Sequence, residues 1–426
     1  MQSFFSSGRN RSILLLVFSG ISLLVLLTRA IYLLIDALLG FINQELSWVD
    51  LGPSMMDAGS MLVCACFLVP LLVGCLQQLK HKPLPVVTVH PIKNRLIWLL
   101  LASWVVLVAL ASLLTGFFDF GWLPSSPFFF LALLLPVMVF SWIAIGGLFS
   151  GSRRRLWASL SMGMTGGTSL ALILEYSLVM LAVGIGAVVA VFQPALLDTF
   201  QEIQTQVQVA TKMEDLLVVL APYLTQPWVF LVVLLFAAVL GPMIEEAVKP
   251  LAVWILGRQL RTPGEGFALG ALSGAGFALL EGLMAASGMI SVPYFAVPAR
   301  LASSLMHITL SGIVGWGIQS AFMTKQWKRF LAAYFISSLL HGLWNGSALL
   351  AVYGALRFQV QGVQALDVLG SLAVLLGIFT LVSVFILILF ALPLLNKRLR
   401  SSQGDIIAPL ASQLERTSDG LDSQGN

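Results

Sequence analysis

Ten stretches of this chain run for twenty residues or more with few charges, and no other feature limits its folding as strongly. They are Ile13–Phe41, Met55–Leu76, Leu96–Phe117, Phe128–Phe149, Thr168–Phe192, Trp228–Leu256, Phe267–Ile290, Leu301–Met323, Phe330–Tyr353 and Val368–Leu395. About 20 mainly apolar residues suffice for a helix to cross a bilayer. In hydrocarbon every backbone N–H and C=O must be satisfied internally, so such runs are helices. The pattern predicts an all-α fold, a polytopic transmembrane helical bundle of about ten spans. Composition agrees: 10% of residues are charged, against roughly 25% in soluble domains. That excludes a water-soluble protein, a disordered chain and a nucleic-acid binder. Cys64, Cys66 and Cys75 share one apolar run and give neither a disulfide framework nor a zinc-ribbon spacing. The first run follows Arg9 and Arg11 as a signal peptide would, but it is too long and reads as an uncleaved anchor.

Charge orients the spans. With the N-terminus in the cytoplasm, 18 of the 23 Lys and Arg fall in cytoplasmic segments, among them Lys80, Arg95, Arg153, Arg258, Lys328 and Arg398. The outer segments hold only Lys212, Arg300 and Arg357. Basic loops stay in the cytoplasm, so both termini are expected there. The chain divides into a four-helix transmembrane module of unknown role (1–155), a fifth span with an outer amphipathic segment (156–227), a four-helix core (228–353), an outer loop with the last span (354–395) and a disordered cytoplasmic tail (396–426). Phe200, Ile203, Val207, Met213 and Leu217 recur at near-helical spacing, which predicts an amphipathic helix within Gln193–Gln226. Arg29 and Asp36, seven apart in the first span, read as a mutual pair, and Glu175 as a structural hydrogen-bonding residue.

Ionisable residues inside spans are costly and mark function by default. The sixth span carries Glu245, Glu246 and Lys249 between Pro242 and Pro250. Glu245 and Lys249 share a helical face, and each proline frees a carbonyl and can bend the helix. The seventh span carries Phe277 and Glu281 on one face after the small-residue run Gly270–Gly276, which lets a neighbour come close. His307 lies in the eighth span; His341 and Asn345, one turn apart, lie in the ninth. At about 1.5 Å per residue from the cytoplasmic ends, Glu245, Glu246 and His341 sit roughly 15–18 Å deep, and Glu281, His307 and Asn345 roughly 21–24 Å. Four successive helices thus place polar groups in one layer.

Two carboxylates sharing a buried site cannot easily both ionise, so one can act as base and the other as neutral acid. A nearby His and Asn can donate hydrogen bonds to a developing oxyanion. Such a set suits attack of water on a peptide carbonyl, and equally a proton or cation pathway; composition and spacing do not decide between them.

Glu245-Glu246-x-x-Lys249, Phe277-x-x-x-Glu281, His307 and His341-x-x-x-Asn345, one motif per successive helix, resemble the PrsW family of intramembrane endopeptidases. That family is distantly related to the CAAX prenyl-endopeptidase and bacteriocin-immunity membrane proteins, in which the second motif typically ends in His where this chain has Glu281. The resemblance covers about Trp228 to Tyr353. It implies hydrolysis of a membrane-anchored protein, such as an anti-sigma factor, in the bacterial plasma (inner) membrane. It also implies roles: Glu245 or Glu246 as base, Glu281 and His307 completing the site, His341 and Asn345 stabilising the oxyanion, Lys249 and Phe277 supporting. Chemistry without a cofactor is favoured, because the charge of Lys249 opposes a bound cation. If the reaction is metal-dependent, zinc held by Glu281, His307 and His341 is the alternative. Two other readings use the same residues: an ion-coupled membrane transporter, and a non-catalytic membrane scaffold. A transporter usually shows a repeat of broken helices, and prolines flank such a break only in the sixth span.

Overall fold

The computed structural model describes residues 8–44, 46–47, 51–80, 86–118, 122–209, 213–290, 292–361 and 367–422. In chain order the elements are α1 (Gly8–Ile42), α2 (Leu51–Leu79), β1 (Val86–Thr88), α3 (Asn94–Phe117), α4 (Trp122–Ile145), β2 (Phe149–Ser152) and α5 (Arg153–Ser161). A π-turn (Met162–Gly167) leads into α6 (Thr168–Val191), then α7 (Pro194–Val209), α8 (Met213–Leu224) and α9 (Pro227–Leu235). A second π-turn (Phe236–Leu240) precedes α10 (Gly241–Val248), α11 (Leu251–Leu256), α12 (Pro263–Ser287), α13 (Pro293–Thr324), α14 (Trp327–Gln361) and α15 (Val368–Asp422). Among the described residues, ten helices are long and apolar enough to cross a membrane, and each coincides with one of the ten runs read from the sequence. β1 and β2 form a short antiparallel ribbon with Val86 opposite Ser152 and Thr88 opposite Phe149, which hydropathy does not signal. Where the sequence predicts an outer amphipathic helix there are two, α7 and α8. The backbone of α15 stays helical to Asp422, through residues that the sequence places in a disordered tail.

The contacts divide the chain into two discontinuous units, one of residues 1–168, 247–334 and 388–426 and one of residues 169–246 and 335–387. In the first unit α12 is the most enclosed span. Its small residues allow this. A Cβ on Gly274 would meet the His307 carbonyl on α13, and one on Gly276 would meet the Leu160 carbonyl on α5. Lipid tails are as apolar as Leu, so close backbone packing has to supply the attraction between these helices. Polar ties close one end of the unit: Arg155 pairs with Glu265 at 2.9 Å, Gln403 Nε2 donates to Thr262 Oγ1 at 2.6 Å, and Asn396 donates to the carbonyls of Ala144 and Gly146. Arg29 stacks on Tyr32 at 5.3 Å. The described ion pairs do not include Arg29 with Asp36, because seven helical residues put their backbones about 10 Å apart.

The second unit is less enclosed: from Leu172 to Val189 no residue of α6 is buried. Gly342 on α14 lies against the Ala238 carbonyl, where any Cβ would collide. Phe230 and Tyr353 pack with ring centroids 4.3 Å apart and planes tilted by 34°, and Arg357 clasps Asp367 at 2.6 Å. A groove of about 560 Å³ runs along α14, lined by Phe230, Ala238, Met243, Phe335, Gly342 and Leu376 among others.

Candidate active site

In the second unit the site begins with a missing hydrogen. Through Phe236–Leu240 the helix widens to i→i+5 bonding, and Gly241 N–H donates to the Phe236 carbonyl. The next bond in that register would run from residue 242 to the Ala237 carbonyl. Residue 242 is proline and has no N–H. Asn345 supplies the donor instead, its Nδ2 reaching the Ala237 carbonyl at 2.9 Å. The extra residue of a π-turn rotates everything after it by about 100°. The Asn345 bond therefore bears on the direction in which Glu245 and Glu246 point. Glu175 lies against the same turn, with Oε1 3.7 Å from where a Gly241 Cβ would sit.

Those carboxylates flank one imidazole. His341 Nδ1 is 3.1 Å from Glu246 Oε1, and its Nε2 is 3.9 Å from Glu245 Oε2. Glu246 is fully buried and His341 nearly so, while the Glu245 side chain is 16% exposed. A buried carboxylate on Nδ1 fixes Nδ1–H as donor and leaves Nε2 turned to the more accessible Glu245.

The first unit holds the other candidates. α10 ends at Val248, and Lys249-Pro250 form a turn before α11. The helical spacing that puts Lys249 on the face of Glu245 therefore stops one residue short. Pro250 removes a further donor, and the carbonyls there find side-chain partners: Trp254 Nε1 donates to Ala247 at 2.8 Å, and Ser273 Oγ donates to Lys249. Lys249 is fully buried. Its Nζ is 2.7 Å from His307 Nδ1 and 4.5 Å from the centre of the Phe277 ring. An ammonium can only donate, so Nδ1 accepts and Nε2 carries the hydrogen. Nε2 lies 2.8 Å from Glu281 Oε2, an ion-pair distance. Arg300 closes the chain at 3.1 Å from Glu281 Oε1. Phe277 walls the row, its ring centre 5.4 Å from that of His307.

The candidates thus fall into two sets: Glu245, Glu246, His341 and Asn345 in one unit, and Lys249, Phe277, Glu281 and His307 in the other. Sequence reasoning missed Arg300, taken as an ordinary outer-loop charge. Its spacing of seven from His307 on α13, two turns along one face, was the available signal. It also missed that Asn345 serves a backbone carbonyl, which the proline at 242 foreshadowed.

The commitments of these atoms test whether a metal fits. Both nitrogens of His307 are engaged, one by an ammonium, so His307 can ligate only by releasing Lys249 or Glu281. Glu281 is shared by His307 and Arg300. His341 is different. A ligating histidine usually gives its other N–H to a carboxylate, as His341 does to Glu246, and Nε2 faces a second carboxylate. His341 and Glu245 therefore fit as two ligands, with Glu246 orienting the ring.

Comparison with curated proteins and with solved structures gives no match. The sequence profile described as PrsW family intramembrane metalloprotease matches residues 152–392, more than half of the chain and all of both residue sets. The chain is a membrane-embedded peptidase, and it belongs to the PrsW family.

Proposed function

We propose that the protein hydrolyses a peptide bond of a membrane-anchored protein, with Glu245 as the base that takes a proton from the attacking water. The observation that carries this reading is the buried imidazole of His341 between two carboxylates of the preceding motif, 3.1 Å from Glu246 and 3.9 Å from Glu245. Glu246, wholly buried, orients the ring. Glu245, the more accessible, receives the proton. Nδ1–H of His341 stays on Glu246, and a proton passed from Glu245 to Nε2 makes that N–H the donor to charge developing on the scissile carbonyl oxygen. Lys249, Phe277, Glu281 and His307 serve the same reaction as a row that holds one proton on His307 Nε2 and brings buried positive charge. Asn345 acts through the backbone, holding the π-turn from which both glutamates project. An apolar segment of the substrate, such as that of an anti-sigma factor, suits the groove along α14. The basic segments favour a plasma-membrane protein with both termini in the cytoplasm; single cysteines at Ser152 and Gln326 then label from the cytoplasm only, and outside labelling reverses the orientation.

A second reading has specific support in the His341–Glu245–Glu246 arrangement and in the description of the family. Zinc held by His341 and Glu245 would supply a water of lowered pKa. The same Glu246 contact then sets which nitrogen of His341 faces the ion. Chelation separates the two. The cofactor-free reading expects purified, chelator-treated protein to keep cleaving; loss of cleavage restored by stoichiometric zinc establishes the metal.

The proposal is tested by trapping. With Glu246→Gln, membrane proteins that are cut in the presence of the natural chain accumulate intact and co-purify with the variant. If no membrane protein differs in length or amount between the two, the protein is not acting as a peptidase under those conditions of growth, and a transport assay on the same vesicles takes precedence.

A further inference from the structure

The first unit contains a second cavity that holds none of the peptidase-motif residues. It is a cleft of about 320 Å³ beside α3, α4, α13 and α15. Along α15 it extends from Leu389 to Arg400. Eleven helical rises span about 16 Å, close to half the hydrocarbon thickness of a bilayer, the depth of one leaflet. The wall is graded. Phe140, Leu305 and Leu389 line it with hydrocarbon, whereas Asn94, Asn396 and Arg400 supply polar groups.

Arg400 is the unusual member. Its Nε is buried and has no hydrogen-bond partner among the described residues, and no described carboxylate pairs with it. The backbone makes room for it: Gly147, at φ +76°, turns back so that its N–H donates to the Val89 carbonyl at 2.6 Å, and a Cβ there would fall 2.5 Å from Arg400 Cδ. A residue with a side chain would be strained and would also displace Arg400. Lys93, Arg95, Lys397 and Arg398 stand exposed in the adjoining segments. The sequence has no acidic residue in 58–118, 120–174 or 368–404. The described charges adjoining Arg400 at this end of the cleft are therefore positive.

We propose that this cleft binds one anionic phospholipid, its acyl chain against Phe140, Leu305 and Leu389 and its phosphate on the Arg400 guanidinium. Length and grading call for an amphiphile rather than a free anion. The charge selects an anionic headgroup over a zwitterionic one. Arginine offers a phosphate two parallel donors.

The test uses the full chain, purified in a neutral detergent and stripped of lipid. Native mass spectrometry is run with equimolar phosphatidylglycerol and phosphatidylcholine, and thermal unfolding is followed with each lipid and with glycerol phosphate. One phosphatidylglycerol retained per chain, an upward melting shift with that lipid alone, and no shift with glycerol phosphate are expected. Arg400→Gln weakens retention by about tenfold, the scale of one lost charge-assisted hydrogen bond. Asn94→Asp, at an exposed position where folding is not at stake, also weakens it by placing a negative charge at the mouth. Equal retention of the two lipids overturns the proposal, as does full retention by Asn94→Asp together with Arg400→Gln. An equal melting shift with glycerol phosphate makes the cleft a free-anion site and overturns it as well.

Discussion

His307 and His341 are the same residue type on successive long helices, each almost excluded from solvent, yet their described partners differ in charge. His307 stands in a row that alternates charge: Lys249 on one nitrogen, Glu281 on the other, Arg300 beyond. Opposite charges alternate along that row, so the row is suited to holding a geometry. His341 meets carboxylates on both sides. A set with two carboxylates and one imidazole has more acceptors than protons, which is what taking a proton from water requires. The contrast teaches that in a membrane interior the neighbours of a histidine decide its part more than its depth does.

The contrast can be broken most directly at the glutamates. Glu245→Gln, and separately His341→Ala, should lower turnover by about 10²-fold or more, the scale of a lost acid–base group, with membrane insertion unchanged. Glu281→Gln and His307→Gln should cost less, about tenfold, since they disturb a row that positions. If the His307 variants prove the more damaging, the assignment of roles is reversed. Combining Glu246→Gln with His307→Gln sharpens the point: groups that act as one unit give a double variant little worse than its poorer single. Full additivity of the two losses separates the sets functionally.

A smaller effect is expected at Asn345. Asn345→Ala should lower turnover several-fold by loosening the π-turn, and Pro242→Ala, which restores a backbone N–H near the Ala237 carbonyl, should recover part of the loss. A residue that donated to the oxyanion would show no such rescue. The least effect belongs to Arg357 and Asp367, outside both sets. The Arg357 guanidinium holds the Asp367 carboxyl below the usual carboxylate range. A depressed folded value means that the pair's contribution is complete above about pH 4 and is lost as pH falls through that lower value. Asp367→Asn should remove this acid-limb dependence from thermal unfolding and leave cleavage unchanged.

Most of the architecture was legible because a spanning helix announces itself by length and hydropathy alone, and all ten runs became helices. The candidates were legible for a related reason: Glu245, Glu246, Glu281, His307 and His341 are conspicuous where charge is expensive. Pairings were not. Lys249 reads as a helical neighbour of Glu245 until Pro250 ends the helix and the lysine turns to His307. Arg300 looks like a loop charge until α13 places it two turns from that histidine. The β1–β2 ribbon rests on backbone pairing between distant segments, and the split of the chain into two interleaved units rests on packing that no local pattern encodes.

The central claim is that the carboxylates around His341 activate water for proteolysis. It is tested most directly by reconstituting the natural chain and the Glu245→Gln, Glu246→Gln double variant into vesicles with a trapped membrane substrate, then following cleavage in a single turnover. The account predicts cleavage by the natural chain and a rate at least about 10²-fold lower for the double variant, with identical insertion and thermal unfolding. Cleavage by the double variant at the natural rate contradicts it.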